Sequence, residues 1–398
     1  MHKILGASVC HVPVQSSPPP GGMHGFLAVV VLALALLLRP AGSHNHLKQP
    51  NIFIIGAMKA GTTALSDLMR KNQAICDKGE KEKHFFNGAD YKKKYHASLK
   101  KYIEEFEGCG GDQLTLDATP GYSEKPNVNQ RMIESYSATD LARKYFIFSI
   151  REPIARHYSE YEMNIRFCLD TIGDLNRTDQ SSWRKYRHER ACESVMSDFH
   201  PLTNDPTKHP YAKVLDFHEW CLSPFGRREL TRGHYKAAIQ RFLMMISRNQ
   251  LFLINFDTLV RNTSVVMQGM GDFLKLRAAH RWNASTTLAV PKKSGTAMNL
   301  AKMSCSTVEM LDDYFRRVNG HIGEWIRNIT IALGHADGEP PFEDFVSDPY
   351  KNCNSTLLFA SERTRAFPEE SIEFNAQIEL HGWEHVSNIT ESQGPSAI

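Results

Sequence analysis

Three short stretches of this chain hold residue types that could grip an anion and move a proton. In the first, an apolar run from Asn51 passes into Gly56-x-x-Lys59-x-Gly61-Thr62-Thr63 and then into a helical pattern. Glycines at a strand-to-helix turn let backbone N–H groups face a phosphate-like group. The positive end of the new helix, the Lys59 ammonium and the Thr62 and Thr63 hydroxyls would complete the cradle. The order differs from a Walker A loop, in which Lys directly follows the second glycine. A plain glycine turn in a βα unit is the alternative reading of this string. The second stretch is Lys81-Glu82-Lys83-His84-Phe85-Phe86-Asn87-Gly88. Glu82 and His84 are two apart, so on a strand they would share a face, and a carboxylate there could take a proton from an attacking hydroxyl. A charged loop followed by an aromatic core anchor is the blander alternative. The third is Arg151-x-Pro153-x-x-Arg156-x-x-Ser159-x-Tyr161. An arginine fork at a strand end and a serine hydroxyl in the next helix could hold one phosphate between them; either residue alone would be read as structural.

These residues need a scaffold that brings strand ends together. Asn51 to Ile55 is short, apolar and β-branched, as a buried parallel strand should be. The helix after it sets Ala64, Leu65, Leu68 and Met69 on one face. Leu114 to Leu116 predicts a second strand ending at Asp117, Tyr145 to Ile150 a third, and Leu251 to Ile254 a fourth. Pro153 opens a helix where proline fits best. A helix carrying Leu259, Val266, Met270, Phe273 and Leu274 follows the fourth strand, and one from about Ser306 carries Leu311, Tyr314, Phe315, Ile322 and Ile326 as core. Strands alternating with helices predict an α/β domain with a mostly parallel central sheet flanked by helices. Ligands of such sheets sit at the carboxyl ends of the strands, where Gly56, Asp117 and Arg151 all fall.

Taken together, the segments resemble the Golgi carbohydrate sulfotransferases, which use 3'-phosphoadenosine 5'-phosphosulfate (PAPS). The first loop has the spacing of their 5'-phosphosulfate loop. Glu-x-His-Phe-Phe resembles the catalytic segment of the glycosaminoglycan enzymes, and the third string their 3'-phosphate motif. Arg232-Gly233-x-Tyr235 and Lys292-Lys293-Ser294-Gly295 resemble a later helix start and a loop that closes over the nucleotide. The resemblance covers about residues 51–328 and implies a P-loop-like three-layer fold. It implies donor contacts from Lys59, Ala60, Gly61, Thr62, Thr63, Arg151, Ser159, Lys293 and Gly295. Glu82 would be the general base, with Lys59 and His84 beside it, and no metal is required. One departure bears on the acceptor. Heparan sulfate sulfotransferases carry an active-site Lys where Asp117-Ala118-Thr119-Pro120-Gly121-Tyr122 has Ala118. The Ala form is more similar to the branch containing N-acetylgalactosamine 4-sulfate 6-O-sulfotransferase. The expected acceptor is therefore a glycosaminoglycan of the chondroitin/dermatan type, with heparan sulfate as the alternative.

Composition agrees with a globular enzyme: 398 residues, 41% hydrophobic and 23% charged, with a net charge of +3. That balance names no partner, and no nucleic acid is expected. A local lysine cluster (Lys78, Lys81, Lys83, Lys92, Lys93, Lys94, Lys100 and Lys101) is either a solvated face or a groove for a polyanion. The groove reading keeps open a non-catalytic, polyanion-binding lumenal protein. A Mg-dependent P-loop kinase is the other rival, with Asp117 as its one candidate acidic ligand. Phe26 to Leu38 is uninterrupted apolar sequence, shorter than a full span, and suits a signal anchor or signal-peptide core. The expected organisation is a cytosolic tail (1–24), that segment (25–38), a short stem (39–50), the catalytic domain (51–333) and a C-terminal extension (334–398). The expected location is the Golgi membrane, single-pass type II with a lumenal catalytic domain, or secreted if the N-terminal segment is cleaved. Six Asn-x-Ser/Thr acceptors, at Asn176, Asn262, Asn283, Asn328, Asn354 and Asn388, fit a lumenal chain. So do eight cysteines. Seven lie beyond the apolar run, so at least one is free or pairs between chains. No Cys/His metal spacing occurs. Oligomeric state is left open.

Overall fold

A computed structural model describes residues 49–78, 81–88, 95–173, 190–196, 214–283, 285–288 and 303–326. The apolar N-terminal run, Lys92 to Lys94, Lys293, Gly295, the sequons at Asn176, Asn328, Asn354 and Asn388, and the 334–398 extension lie outside the described residues. Among those described, no helix is long and apolar enough to cross a membrane.

Five strands, β1 (Ile52–Gly56), β2 (Ile75–Cys76), β3 (Leu114–Ala118), β4 (Tyr145–Ile150) and β5 (Leu251–Asn255), form one sheet in the order β2-β3-β1-β4-β5. All four pairings are parallel. The chain winds outward in both directions from β1, so the crevice beside β1 is the switch point where such sheets bind ligands. Register brings the relevant ends level: Phe53 pairs with Asp117, Ile54 with Ala118 and Gly56 with Phe148. The named helices are α1 (Thr62–Arg70), α2 (Tyr95–Glu104), α3 (Asn127–Ser135), α4 (Ala138–Leu141), α5 (Pro153–Gly173), α6 (Phe217–Leu222), α7 (Pro224–Leu230), α8 (Tyr235–Met245), α9 (Phe256–Arg261), α10 (Thr263–Phe273) and α11 (Cys305–Asn319).

Side chains alternate across β1. Phe53 and Ile55 join Phe86, Tyr122, Phe146 and Phe242 on one face, while Ile52 and Ile54 join Leu65, Met69, Leu259 and Met270 on the other. Both faces are thus covered and the strands read as continuous apolar runs. Each such side chain contributes about 1.5–3 kcal/mol on burial. A third cluster packs Tyr161, Trp220, Leu311 and Phe315 between α5, α6 and α11.

Three expectations are corrected. Ile75–Cys76 is an edge strand too short to show as an apolar run. The helix after β5 is two helices, because Asn262 leaves helical dihedrals and closes α9 before α10 begins. The helix from Cys305 ends at Gly320, whose φ of +60° stops it, so Ile322 and Ile326 are buried beyond that break.

Cys76 bonds to Cys109 and Cys168 to Cys192. Cys305 is also disulfide-bonded, to a cysteine outside the described residues. Cys221 is a buried free thiol, the odd cysteine that the count demands. The first bridge closes a separation of 33 residues between β2 and the approach to β3. Replacing both Cys76 and Cys109 by Ala is expected to lower unfolding free energy by about 2–4 kcal/mol in urea titration.

Candidate functional site

The first loop leaves β1 and enters α1 without a side-chain cap. Gly61 is the N-cap, in left-handed conformation at φ +77°, and no side chain accepts from the first-turn N–H groups. An uncapped N-terminus with free donors is an anion seat. A side chain at Gly61 would be strained, and a Cβ there would come 2.7 Å from Phe256 Cε2. Lys59 also has positive φ, 68°. Ala60 and Thr62 are buried, Lys59 is half-buried and Thr63 is exposed.

The end of β4 holds this loop from behind. Ser149 Oγ donates to the Ala60 carbonyl at 2.6 Å, and Ala57 N–H donates to the Ser149 carbonyl at 2.8 Å. Arg151 Nη1 donates to the Lys59 carbonyl at 3.1 Å, so the two basic residues expected to grip opposite ends of one ligand are neighbours. Burial pushes the Arg151 guanidinium below its usual range, against the opposing charges of Asp257 and Glu152. Glu152 caps α5 by accepting from Ile154 N–H (2.9 Å) and Ala155 N–H (2.6 Å). Ser159 lies half-buried on the second turn of α5.

Glu82 and His84 do meet, but not on a strand. Both sit in a loop with positive φ, 69° and 54°. That turn swings His84 Nε2 to 3.3 Å from Glu82 Oε2, while Lys81 Nζ bonds Glu82 Oε1 at 2.9 Å. On its other side His84 Nδ1 faces Asn87 Oδ1 at 3.2 Å. Both ring nitrogens therefore face oxygen acceptors, the arrangement an imidazolium satisfies. The bond to Glu82 raises the His84 pKa above its ordinary 6.5, against burial. Burial alone would raise Glu82, but the His84 hydrogen bond and the charge and hydrogen bond of Lys81 outweigh it and hold the carboxyl at about 2. His84 N–H also reaches Thr119 Oγ1 at 3.5 Å, which docks this loop on the end of β3.

Lys59, Glu82 and His84 are three of the four non-glycine residues with positive φ among those described. Such dihedrals cost about 1–3 kcal/mol each and cluster where function over-determines the backbone.

Asp117 is not exposed to a ligand. It is wholly buried and accepts from Thr119 Oγ1 (2.6 Å), Tyr102 OH (2.7 Å) and Tyr122 OH (2.8 Å). Desolvation raises its pKa in spite of those bonds. It is a core acceptor rather than the metal-holding carboxylate a kinase would need. No group of three or more His, Cys, Asp or Glu able to hold a metal occurs among the described residues. Two lysines of the cluster are engaged by carboxylates. Lys83 is buried, 2.9 Å from Glu105 and 3.7 Å from Asp77, and Lys100 pairs with Glu104 on its own helix. The last expected contacts, Lys293 and Gly295, fall outside the described residues.

Arg232, which the sequence marks only as a helix start, lies at the centre of an ion-pair network. It bonds Glu124 (3.0 Å), Glu229 (2.6 Å) and Glu160, and its Nη1 is 3.5 Å from Met58 Sδ in the first loop. Asn87, Ser149 and Thr119 are also positioning residues that spacing alone does not reveal.

Residues 49–333 match the sulfotransferase domain family. Among curated proteins, the chain is 30% identical over 122 residues to the membrane-associated sulfotransferase kil1 of Dictyostelium discoideum, covering 30% of this chain and 24% of that one. It is 29% identical over 119 residues to human heparan sulfate glucosamine 3-O-sulfotransferase 5, covering 30% and 32%. It thus spans about a quarter to a third of these relatives. A solved sulfotransferase from Alicyclobacillus acidocaldarius aligns with 73% of this chain and 97% of its own, at TM-score 0.44 and 22% identity.

Replacing Asp117 by Ala would strand three buried hydroxyls, at about 1–3 kcal/mol for each group left unsatisfied. The expected result is a loss of at least about 3 kcal/mol of stability in urea titration.

Proposed function

This chain belongs to the sulfotransferase domain family, and on that premise we propose that it transfers a sulfuryl group from PAPS to a sugar hydroxyl of a glycosaminoglycan. The observation that carries this reading is the Arg151–Lys59 hydrogen bond. It sets a 3'-phosphate anchor beside a 5'-phosphosulfate cradle, at the sheet edge where the loop bearing Glu82 docks on β3.

The donor supplies an activated sulfur. The uncapped turn of α1, Lys59 and the Thr62 and Thr63 hydroxyls would hold its 5' end, and Arg151 and Ser159 its 3'-phosphate. Lys293 and Gly295 would close the late loop over it. An acceptor oxygen forms the new S–O bond as the bond from sulfur to the nucleotide oxygen breaks, and the hydroxyl proton passes to Glu82. Lys59 stabilises charge growing on the leaving oxygen. No metal enters this scheme. His84 orients Glu82 and regulates how basic it is.

Acceptor class follows from Ala118, which is buried at 2% exposure where heparan-type enzymes carry a lysine. We favour a chondroitin/dermatan-type sugar on that ground. Heparan sulfate is the second reading, favoured by the relatives named for it. A Golgi-lumenal catalytic domain on an N-terminal anchor is part of the same proposal. It is supported by the apolar run and the disulfides, and by the exposed sequon residues Asn262 and Asn283.

Glu82→Gln is expected to reduce turnover at least about a thousandfold, within the range a general base contributes, while desulfated-nucleotide affinity stays near wild type in calorimetry. Parallel loss of both would make Glu82 structural. Disaccharide analysis of chondroitin, dermatan and heparan products, after reaction with radiolabelled PAPS, reads the acceptor directly.

The pH profile has a definite sign. While His84 is protonated it holds Glu82 near 2, a weak base. When His84 loses its proton, that restraint goes and Glu82 becomes more basic. Because His84 is raised, kcat/KM is expected to climb with pH through a midpoint above 6.5. The climb should vanish in His84→Gln. A profile falling through that range would contradict the assignment.

A further inference from the structure

We propose that Phe256 is a positioning residue for the donor, a buried ring that aims the arginine of the 3'-phosphate site. The proposal rests on the reading of Lys59, Gly61 and Arg151 as the nucleotide grip. Phe256 is the first residue of α9, directly after β5, and is 3% exposed. Its place is secured by Asn255, whose side-chain oxygen accepts from Asp257 N–H at 2.8 Å and Thr258 N–H at 3.2 Å. The ring performs two tasks. Its face lies under the Arg151 guanidinium, with Cζ 4.8 Å from the ring centroid. Its edge abuts Gly61 so closely that a Cβ there would approach Cε2 to 2.7 Å and Cδ2 to 2.8 Å. The same ring therefore touches the N-cap of the phosphosulfate turn and the arginine of the 3'-phosphate site.

A guanidinium has only weak preferences of its own about the plane it adopts, and a desolvated aromatic face supplies one. With Nη1 committed to the Lys59 carbonyl and the plane set by the ring, the arginine fork is aimed before the nucleotide arrives. Preorganisation of this kind shows in donor affinity. Phe256 is too buried to offer a face to the nucleotide base, so its action runs through Arg151, and the Gly61 contact fixes where the ring sits.

The test compares two probes, 3'-phosphoadenosine 5'-phosphate and adenosine 5'-phosphosulfate, which lacks the 3'-phosphate. Phe256→Met keeps near-equal volume and removes the π face. Pentafluorophenylalanine incorporated at position 256 keeps the shape and reverses the ring's charge distribution, so it reports even if the Met variant fails to fold. Each is expected to weaken the 3'-phosphate-bearing probe about tenfold, the order of a desolvated cation–π contact, and to leave the other within about twofold. Phe256→Tyr should restore affinity, and KM for the donor should rise with kcat little changed. With Arg151→Ala as background, the Met substitution should cost nothing more. Equal weakening of both probes, or additivity with Arg151→Ala, would reduce Phe256 to a packing residue. If the wild-type protein bound neither probe, the donor reading itself would fall, a different result from a wild-type protein that binds and a Phe256 variant that binds equally well.

Discussion

Ser149 and Arg151, two residues apart at the end of β4, reach across to the carbonyls of Ala60 and Lys59, and the Ala57 N–H reaches back to the Ser149 carbonyl. These three bonds fasten the loop after β1 to its neighbouring strand. The Ser149 bond is short and buried, where a hydrogen bond is strongest and an unmade one most costly. The loop holds the uncapped turn and the positive φ of Lys59, neither of which its own sequence would maintain unaided. Parallel pairing of β1 with β4 is what makes the clamp possible, since it sends both strands to finish at the same edge. Pairing of β1 with β3 does the same for the acid-bearing loop, which rests on Thr119.

A second constraint lies behind the first. Arg156 is fully buried and bonded to Glu160 at 2.7 Å, and Glu160 also meets Arg232, which holds Glu124 and Glu229. Desolvation lowers the Arg156 and Arg232 guanidinium pKa values and raises that of the Glu229 carboxyl. A buried network of this kind adds little stability over apolar packing, but removal of one member leaves a stranded charge at about 3–5 kcal/mol. Its value lies in geometry. Helices α5 and α7, the turn before α8 and the turn after β3 are linked at one guanidinium, beside Met58 of the loop after β1.

Strands β1, β4 and β5 were legible almost to the residue because buried parallel strands are unbroken apolar runs with glycine, arginine or asparagine at their ends. That Arg151 would meet the loop bearing Lys59 and Gly61 was legible because both follow strand ends of one parallel sheet. Edge strand β2 was not, as two residues make no pattern. Nor was the way Glu82 meets His84: period-two alternation argues for a shared strand face, whereas left-handed dihedrals bring the pair together in a loop. Lys83 looks like surface charge until the fold buries it against Asp77 and Glu105. Phe256 reads as one more apolar residue at a helix start, because sequence does not record which guanidinium a ring lies beneath.

The left-handed backbone at Lys59, Glu82 and His84 sets chemistry and durability against each other. Glycine or asparagine relaxes such dihedrals, so replacement at these positions would ease the backbone while removing the roles proposed for them. On those roles, a surviving fold with a neutral residue at position 59 or 82 would mark retirement from the proposed chemistry rather than decay.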